Sequence, residues 1–211
     1  LVVGTSSPDC ELEEALAQLK QTEAALALSS GYHANTGVLP VLTGSEDIIF
    51  SDALNHASII DGCRLSHAAT KIYHHNDIEH LTTLLSATGT TRRRVIVTES
   101  VFAMDGDLAP LSDLASVAKQ YDALLVVDEA HATGVFGSHG GGLVQELELG
   151  ANVDVQIGTL SKAIGALGGY VAGSQTLIDT LINEARTFIY TTALPPSVAA
   201  SATAAIQVIT Q

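Results

Sequence analysis

Leu124-Leu-Val-Val-Asp-Glu-Ala-His131 is the stretch on which the reading of this chain turns. An unbroken apolar run this short predicts a strand buried on both faces, and the polar residues after it put an acid and an imidazole at its carboxyl end. Immediately upstream, Leu111 to Tyr121 places Leu114, Val117 and Ala118 at helical spacing. Before that helix, Arg94-Val-Ile-Val-Thr98 is a second buried strand, ending at Glu99. Strand, helix and strand in succession predict crossover units, hence the α/β class with a mostly parallel sheet and helices on both faces.

Working outward, the same alternation continues. Leu12, Leu16 and Leu19 mark an amphipathic helix over 11–21, and Ser29-Ser30-Gly31 stops whatever 24–28 forms. A helix follows from Gly31 to Val41, capped by Ser29 or Ser30, with its first amides free to meet an anion. Strands are expected at 47–50 and 70–73, helices at 56–67 and 77–85. Beyond Gly168-Gly169, Tyr170-Val-Ala reads as a strand, 174–185 as a helix, and Pro195-Pro196 as a helix start.

In open α/β sheets ligands bind outside the carboxyl ends of the strands. Glu99, Asp128, His131 and the Thr159–Lys162 loop all emerge there. Lys162 lies in Gly158-Thr-Leu-Ser-Lys-Ala-Ile-Gly165 and is one of four lysines in the chain.

With 211 residues, 46% of them hydrophobic, the chain can bury a full core and reads as one domain over 1–211. A formal charge of -14, with Arg92-Arg93-Arg94 the only basic run, argues against nucleic acid or an anionic membrane surface as partner. Cys10 and Cys63 are far apart and form no CxxC pair, which fits a reducing compartment, and no run is long and apolar enough to span a bilayer. The cytoplasm is therefore expected. Leu1 is not an initiator methionine and 197–211 is still helical in pattern where the sequence stops, so a fragment of a longer protein is expected.

Asp128-Glu-Ala-His131 after an apolar strand is also the metal-binding signature of helicases, but that chemistry needs GxxxxGK[ST], and none of Lys20, Lys71, Lys119 or Lys162 follows a glycine. His74, His75 and His80 cluster without HExxH or paired cysteines, so no metal site is expected. GxSxG is missing, and Gly140-Gly141-Gly142 is neither spaced nor placed as a dinucleotide loop. A lysine, an aspartate and a histidine at strand ends, with hydroxyls and glycines nearby, remain. These are the parts that pyridoxal phosphate requires: an amine for its aldehyde, an acid for its pyridine nitrogen, and ligands for its phosphate.

Seven stretches, in order, carry a resemblance. They are Ser30-Gly-Tyr-His-Ala-Asn35, Asp52-Ala-Leu-Asn-His-Ala-Ser58, His75-Asn-Asp77, Val97-Thr-Glu-Ser-Val-Phe-Ala-Met-Asp-Gly106, Val127-Asp-Glu-Ala-His-Ala-Thr-Gly134, Gly158-Thr-Leu-Ser-Lys162 and Ile189-Tyr-Thr-Thr-Ala-Leu-Pro-Pro196. Nearly end to end the chain resembles the α-oxoamine synthases, which join an amino acid to an acyl thioester with loss of carbon dioxide. The resemblance implies the large domain of an aspartate-aminotransferase-like, fold type I enzyme that uses pyridoxal 5'-phosphate.

By the same resemblance, Lys162 would hold the cofactor and act as acid and base, Asp128 would pair with the pyridine nitrogen, and His131 would hydrogen-bond the phenolic oxygen. His56 would stack on the ring. Gly31 and Tyr32 amides with the Thr159 hydroxyl would hold the phosphate, and Thr191 and Thr192 would reach the phosphate of a neighbouring subunit in a homodimer with shared sites. Asn35 and Glu99 would lie in the substrate pocket. Ala103 departs from the family, which usually has serine there. The family's carboxylate-binding arginine is expected in a small domain beyond Gln211, and a glycine-rich segment before Leu1. Sister enzymes that use glycine, and a cofactor-binding or dimerising module without turnover, are the alternatives the residues leave open.

Overall fold

The computed structural model describes residues 5–211; Leu1 lies outside the described residues. In chain order the elements are α1 Ser7–Lys20, β1 Ala24–Leu28, α2 Gly31–Leu42, β2 Ile48–Asp52, α3 Ala57–Leu65, β3 Ala69–Tyr73, α4 Ile78–Ser86, β4 Arg94–Glu99 and α5 Leu111–Gln120. They continue with β5 Ala123–Asp128, α6 Leu143–Glu146, β6 Val155–Thr159, β7 Gly169–Gly173, α7 Gln175–Glu184, α8 Arg186–Ile189 and α9 Pro196–Ile209. The first helix begins four residues ahead of the expected span, because the Asp9 carboxylate accepts from both the amide and the hydroxyl of Ser6 and closes the first turn.

The strands form one seven-stranded sheet in the order β1-β7-β6-β5-β4-β2-β3. From β6 to β3 every pairing is parallel, as the alternation of strands and helices predicts. β7 runs antiparallel to both β6 and β1. The reason is length: residues 160–168 are fewer than the dozen or so that a parallel crossover needs, so the chain turns straight back. β1 thereby runs in the same direction as the parallel block. Its carboxyl end delivers Ser29-Ser30-Gly31 to the rim where β4, β5 and β6 end.

Alternation along the strands divides the core. Val95, Val97 and Val126 pack with Ile59 of α3, Val38 and Leu39 of α2 and Ile178 of α7 on one face. Ile96, Leu125 and Val127 pack with Leu81 of α4 and Leu114 of α5 on the other. On that second face, under β1 and β7, α1 and α9 bury Leu12, Leu16, Ala199 and Ile206 around Tyr170. Among the described residues no helix is long and apolar enough to cross a membrane.

Candidate active site

Residues from five segments on that rim surround a cavity of about 200 Å³. Ser30, Gly31, Tyr32 and Asn35 enter it from α2, His56 and Ser58 from the start of α3, Glu99 from β4, Asp128, Ala130 and His131 from the end of β5, and Thr159, Ser161 and Lys162 from the end of β6. A larger cavity of about 660 Å³ lies at the opposite ends of the strands, around Leu124, Val155 and Gly173, and holds none of these groups.

Strand alternation determines what Asp128 meets. It leaves β5 on the face of Val126, toward α2, where Asn35 Nδ2 donates to its Oδ2 at 2.7 Å; the Ala130 amide donates to its Oδ1 at 2.9 Å. Burial pushes the Asp128 carboxyl up, while Asn35 and Ala130 favour the ionised form. Asn35, expected in the substrate pocket, lines it but spends its amide on Asp128 and on Ser58 Oγ at 3.0 Å. Its Oδ1 is buried and without a partner.

Lys162 stands in the short turn after β6, open to the cavity. Desolvation lowers its pKa, against the pull of Asp128 and Glu99, so the neutral amine is more accessible than in water. For His131 burial is again the first cause and the Lys162 charge the second; together they lower its pKa and favour the neutral ring. His56 caps α3: its Nδ1 accepts from the Ser58 amide at 3.2 Å and lies 2.7 Å from Ser58 Oγ, while its own amide donates to Glu99 Oε1 at 2.7 Å. Glu99 is 3% exposed, and burial together with the Asp128 charge pushes it up to about 7.

At the α2 end of the cavity, Ser30 caps that helix by accepting from the His33 amide at 3.1 Å. The Gly31 and Tyr32 amides, in the first turn, have no intrahelical acceptor and sit at the helix's positive end. A side chain at Gly31 would place its Cβ 3.2 Å from Thr159 Cβ, so glycine lets helix and hydroxyl converge. Thr159 Oγ1 lies 2.8 Å from Ser161 Oγ.

A profile of the class I and II aminotransferases matches residues 3–211. The chain belongs to that family. It is 52% identical over 209 residues to the 8-amino-7-oxononanoate synthase of Geobacter sulfurreducens, covering 99% of this chain and 54% of that protein. Among solved structures it superposes on serine palmitoyltransferase from S. paucimobilis, determined with bound PLP-myriocin, with a TM-score of 0.95 at 36% identity, over 98% of this chain and 52% of the other. An 8-amino-7-oxononanoate synthase from Francisella tularensis matches at 30% identity with a TM-score of 0.85, over 98% of this chain and 59% of its own. The chain spans about half the length of the curated relatives it matches.

The family's fold is thus the one the sequence alternation predicts, and nine of the eleven residues singled out for the site share the cavity. Thr191 and Thr192 do not. They line a separate small cavity beside Ser29, Asp9 and Glu13. Ala103 is exposed on the turn after β4 and does not reach the pocket either. Ser58 and Ser161 were not singled out from sequence. Each lies beside a residue that was, two positions after His56 and one before Lys162, but only the fold turns their hydroxyls toward the same space.

Proposed function

We propose that the chain is the large, cofactor-binding domain of an 8-amino-7-oxononanoate synthase. It would use pyridoxal 5'-phosphate in a decarboxylating condensation of L-alanine with a pimeloyl thioester, and would work as a cytoplasmic homodimer. The observation that carries this reading is the meeting of a desolvated lysine, a buried aspartate, two histidines and a helix N-terminus in one cavity. The identity of its relatives supports the choice of reaction.

The donor set suits the cofactor. Asp128 is buried, and a cation beside it would restore its ionised form, as a pyridinium does. The Gly31 and Tyr32 amides with the Thr159 and Ser161 hydroxyls suit a phosphate. Pyridoxal phosphate, when bound, supplies an electron sink next to the substrate α-carbon. Lys162 would hold its aldehyde and later carry the proton to and from that carbon, a role its lowered pKa favours. Asp128 would keep the ring nitrogen protonated, the neutral His131 would donate to the phenolic oxygen, and His56 would cover the ring face and orient the substrate carboxylate. Asn35 would hold Asp128 in place, and Glu99 would fix the His56 backbone. Thr191 and Thr192, outside this cavity, would serve the phosphate of the second subunit.

Borohydride reduction of the chain with pyridoxal phosphate, followed by peptide mapping, tests this. The label is expected on Lys162; a label on Lys20, Lys71 or Lys119 would sink the reading. Product analysis with alanine and glycine against pimeloyl, acetyl and succinyl thioesters then tests the substrate assignment.

A further inference from the structure

His75-Asn-Asp77 carries part of the resemblance yet has no part in the chemistry above. It forms the turn after β3: Asp77 caps α4 by accepting from the His80 amide at 2.8 Å, and Asn76 takes the left-handed backbone, φ 55°, that asparagine adopts more readily than most residues. The turn directs His75 inward. Its Nδ1 lies 2.9 Å from Asp52 Oδ1 and its Nε2 lies 2.7 Å from Asp107 Oδ2. An ionised carboxylate only accepts, so an imidazole with one on each side donates from both nitrogens and is a cation.

The two carboxylates belong to different loops. Asp107 is brought back by the tight turn after β4, in which Gly106 has φ 71° and the Phe102 amide donates to Asp107 O at 3.0 Å; the Phe102 ring meets His75 edge-on at 4.4 Å. Asp52 ends β2, and its side chain is 1% exposed. It also accepts from the Leu54 amide at 2.8 Å and the Asn76 amide at 2.9 Å. The turn it shapes leads directly into the pocket: Asn55 donates to Val97 O and accepts from the Glu99 amide, and the His56 amide donates to Glu99.

We infer that His75, held as an imidazolium between Asp52 and Asp107, is a positioning residue that sets the Asp52–His56 turn and through it the His56 ring and the Glu99 carboxylate. This rests on the reading of the pocket given above. Partial burial pulls the His75 pKa down, and its hydrogen bonds to the Asp52 and Asp107 carboxylates outweigh it, so the net direction is up. The titratable groups facing the clamp are Asp52 of β2 and Asp107 after β4, with Tyr73 of β3 and Glu99 of β4 beyond Asp52. Loss of one His75 proton would leave a carboxylate, Asp52 or Asp107, facing a ring lone pair, and the clamp that holds the turn would open on that side.

Histidine 15N spectra recorded against pH, on the chain with and without pyridoxal phosphate, test this. His75 is expected to carry both protons at pH 7 and to titrate above the ordinary histidine value of about 6.5. Asp107→Asn is expected to lower that midpoint by about one unit or more. The His56 ring signals should shift over the same pH range as His75, and should be displaced at pH 7 in His75→Gln, together with the visible absorption of the bound cofactor. A neutral His75 at pH 7, or a folded His75→Gln chain whose His56 signals and cofactor absorption are unchanged, would overturn the proposal. If His75→Gln does not fold, Asp107→Asn decides it, since His56 signals that fail to follow the lowered His75 midpoint contradict the coupling. Failure of the cofactor to attach to Lys162 would remove the functional reading alone, because the cofactor-free spectra still report on His75 and His56.

Discussion

Asp128 and Glu129 are consecutive acids that leave β5 on opposite faces, and the lysine associated with each is in an opposite condition. Glu129 points away from the pocket, where Lys20 Nζ lies 2.5 Å from its Oε2; both side chains are fully buried. Lys20 also donates to Gly141 O, and Glu129 Oε1 accepts from the Val144 amide at 3.1 Å. Desolvation works to lower the Lys20 pKa, but Tyr170 and Glu129 outweigh it and the net shift is upward. Lys162, less buried, is shifted downward, because Asp128 and Glu99 act on it only at a distance. Burial by itself does not prepare an amine for chemistry. What separates the two lysines is a carboxylate in direct contact, which locks one as a cation and ties α1 to the loop after β5.

That contrast can be broken most forcefully at Lys20. Lys20→Met leaves the Glu129 charge buried and unpaired, and urea unfolding is expected to show a loss of about 3–5 kcal/mol. Lys20→Met with Glu129→Leu should recover most of that loss, because an apolar pair can replace a buried ion pair. A loss under about 1 kcal/mol for the single variant would show that the pair does not anchor α1. On the other face, Asp128→Asn is expected to cost on the order of a hundredfold in turnover, about 2.7 kcal/mol of barrier, with little change in stability. An active Asp128→Asn enzyme would remove the asymmetry between the two acids.

A third test uses pH. Glu99 is raised from 4.5 to about 7 in the folded chain, so its contribution is fully present below about pH 4.5 and is lost as pH rises toward 7. Unfolding curves are expected to show the parent chain losing on the order of 2 kcal/mol relative to Glu99→Gln across that window. Equal pH dependence in the two proteins would place the Glu99 titration elsewhere. The smallest effect is expected at Tyr32, whose hydroxyl donates to Asp61 at 2.6 Å on the surface; Tyr32→Phe should leave the unfolding midpoint and cofactor affinity nearly unchanged, since the proposed phosphate contact is its amide.

Much of the site is legible because its carriers are local. An apolar run ending in Asp128-Glu-Ala-His131, a glycine and a serine opening a helix at Ser30-Gly31, and Lys162 among small residues each state their own position on a strand end or helix start. Lys20 carries no such sign. It is the last residue of an amphipathic helix, where a solvated lysine is ordinary, and its partner is 109 residues away. His75 is similar, since neither Asp52 nor Asp107 announces from its neighbours that it will close on the same ring.

The sequence by itself therefore determined the alternation of strands and helices from β2 to β5, the parallel block, and the strand ends at which polar groups emerge, because period and turn chemistry act over a few residues; it left 24–28, the strand β1, unassigned. Only the tertiary structure decided that β7 turns back against β6 and seats β1 beside it, bringing the α2 amides to Thr159. It alone decided that Asn35 serves Asp128, that Lys20 neutralises Glu129, and that Thr191 and Thr192 stand outside the cavity. Those outcomes depend on which distant segments share the space over one sheet, and no local pattern encodes that distance.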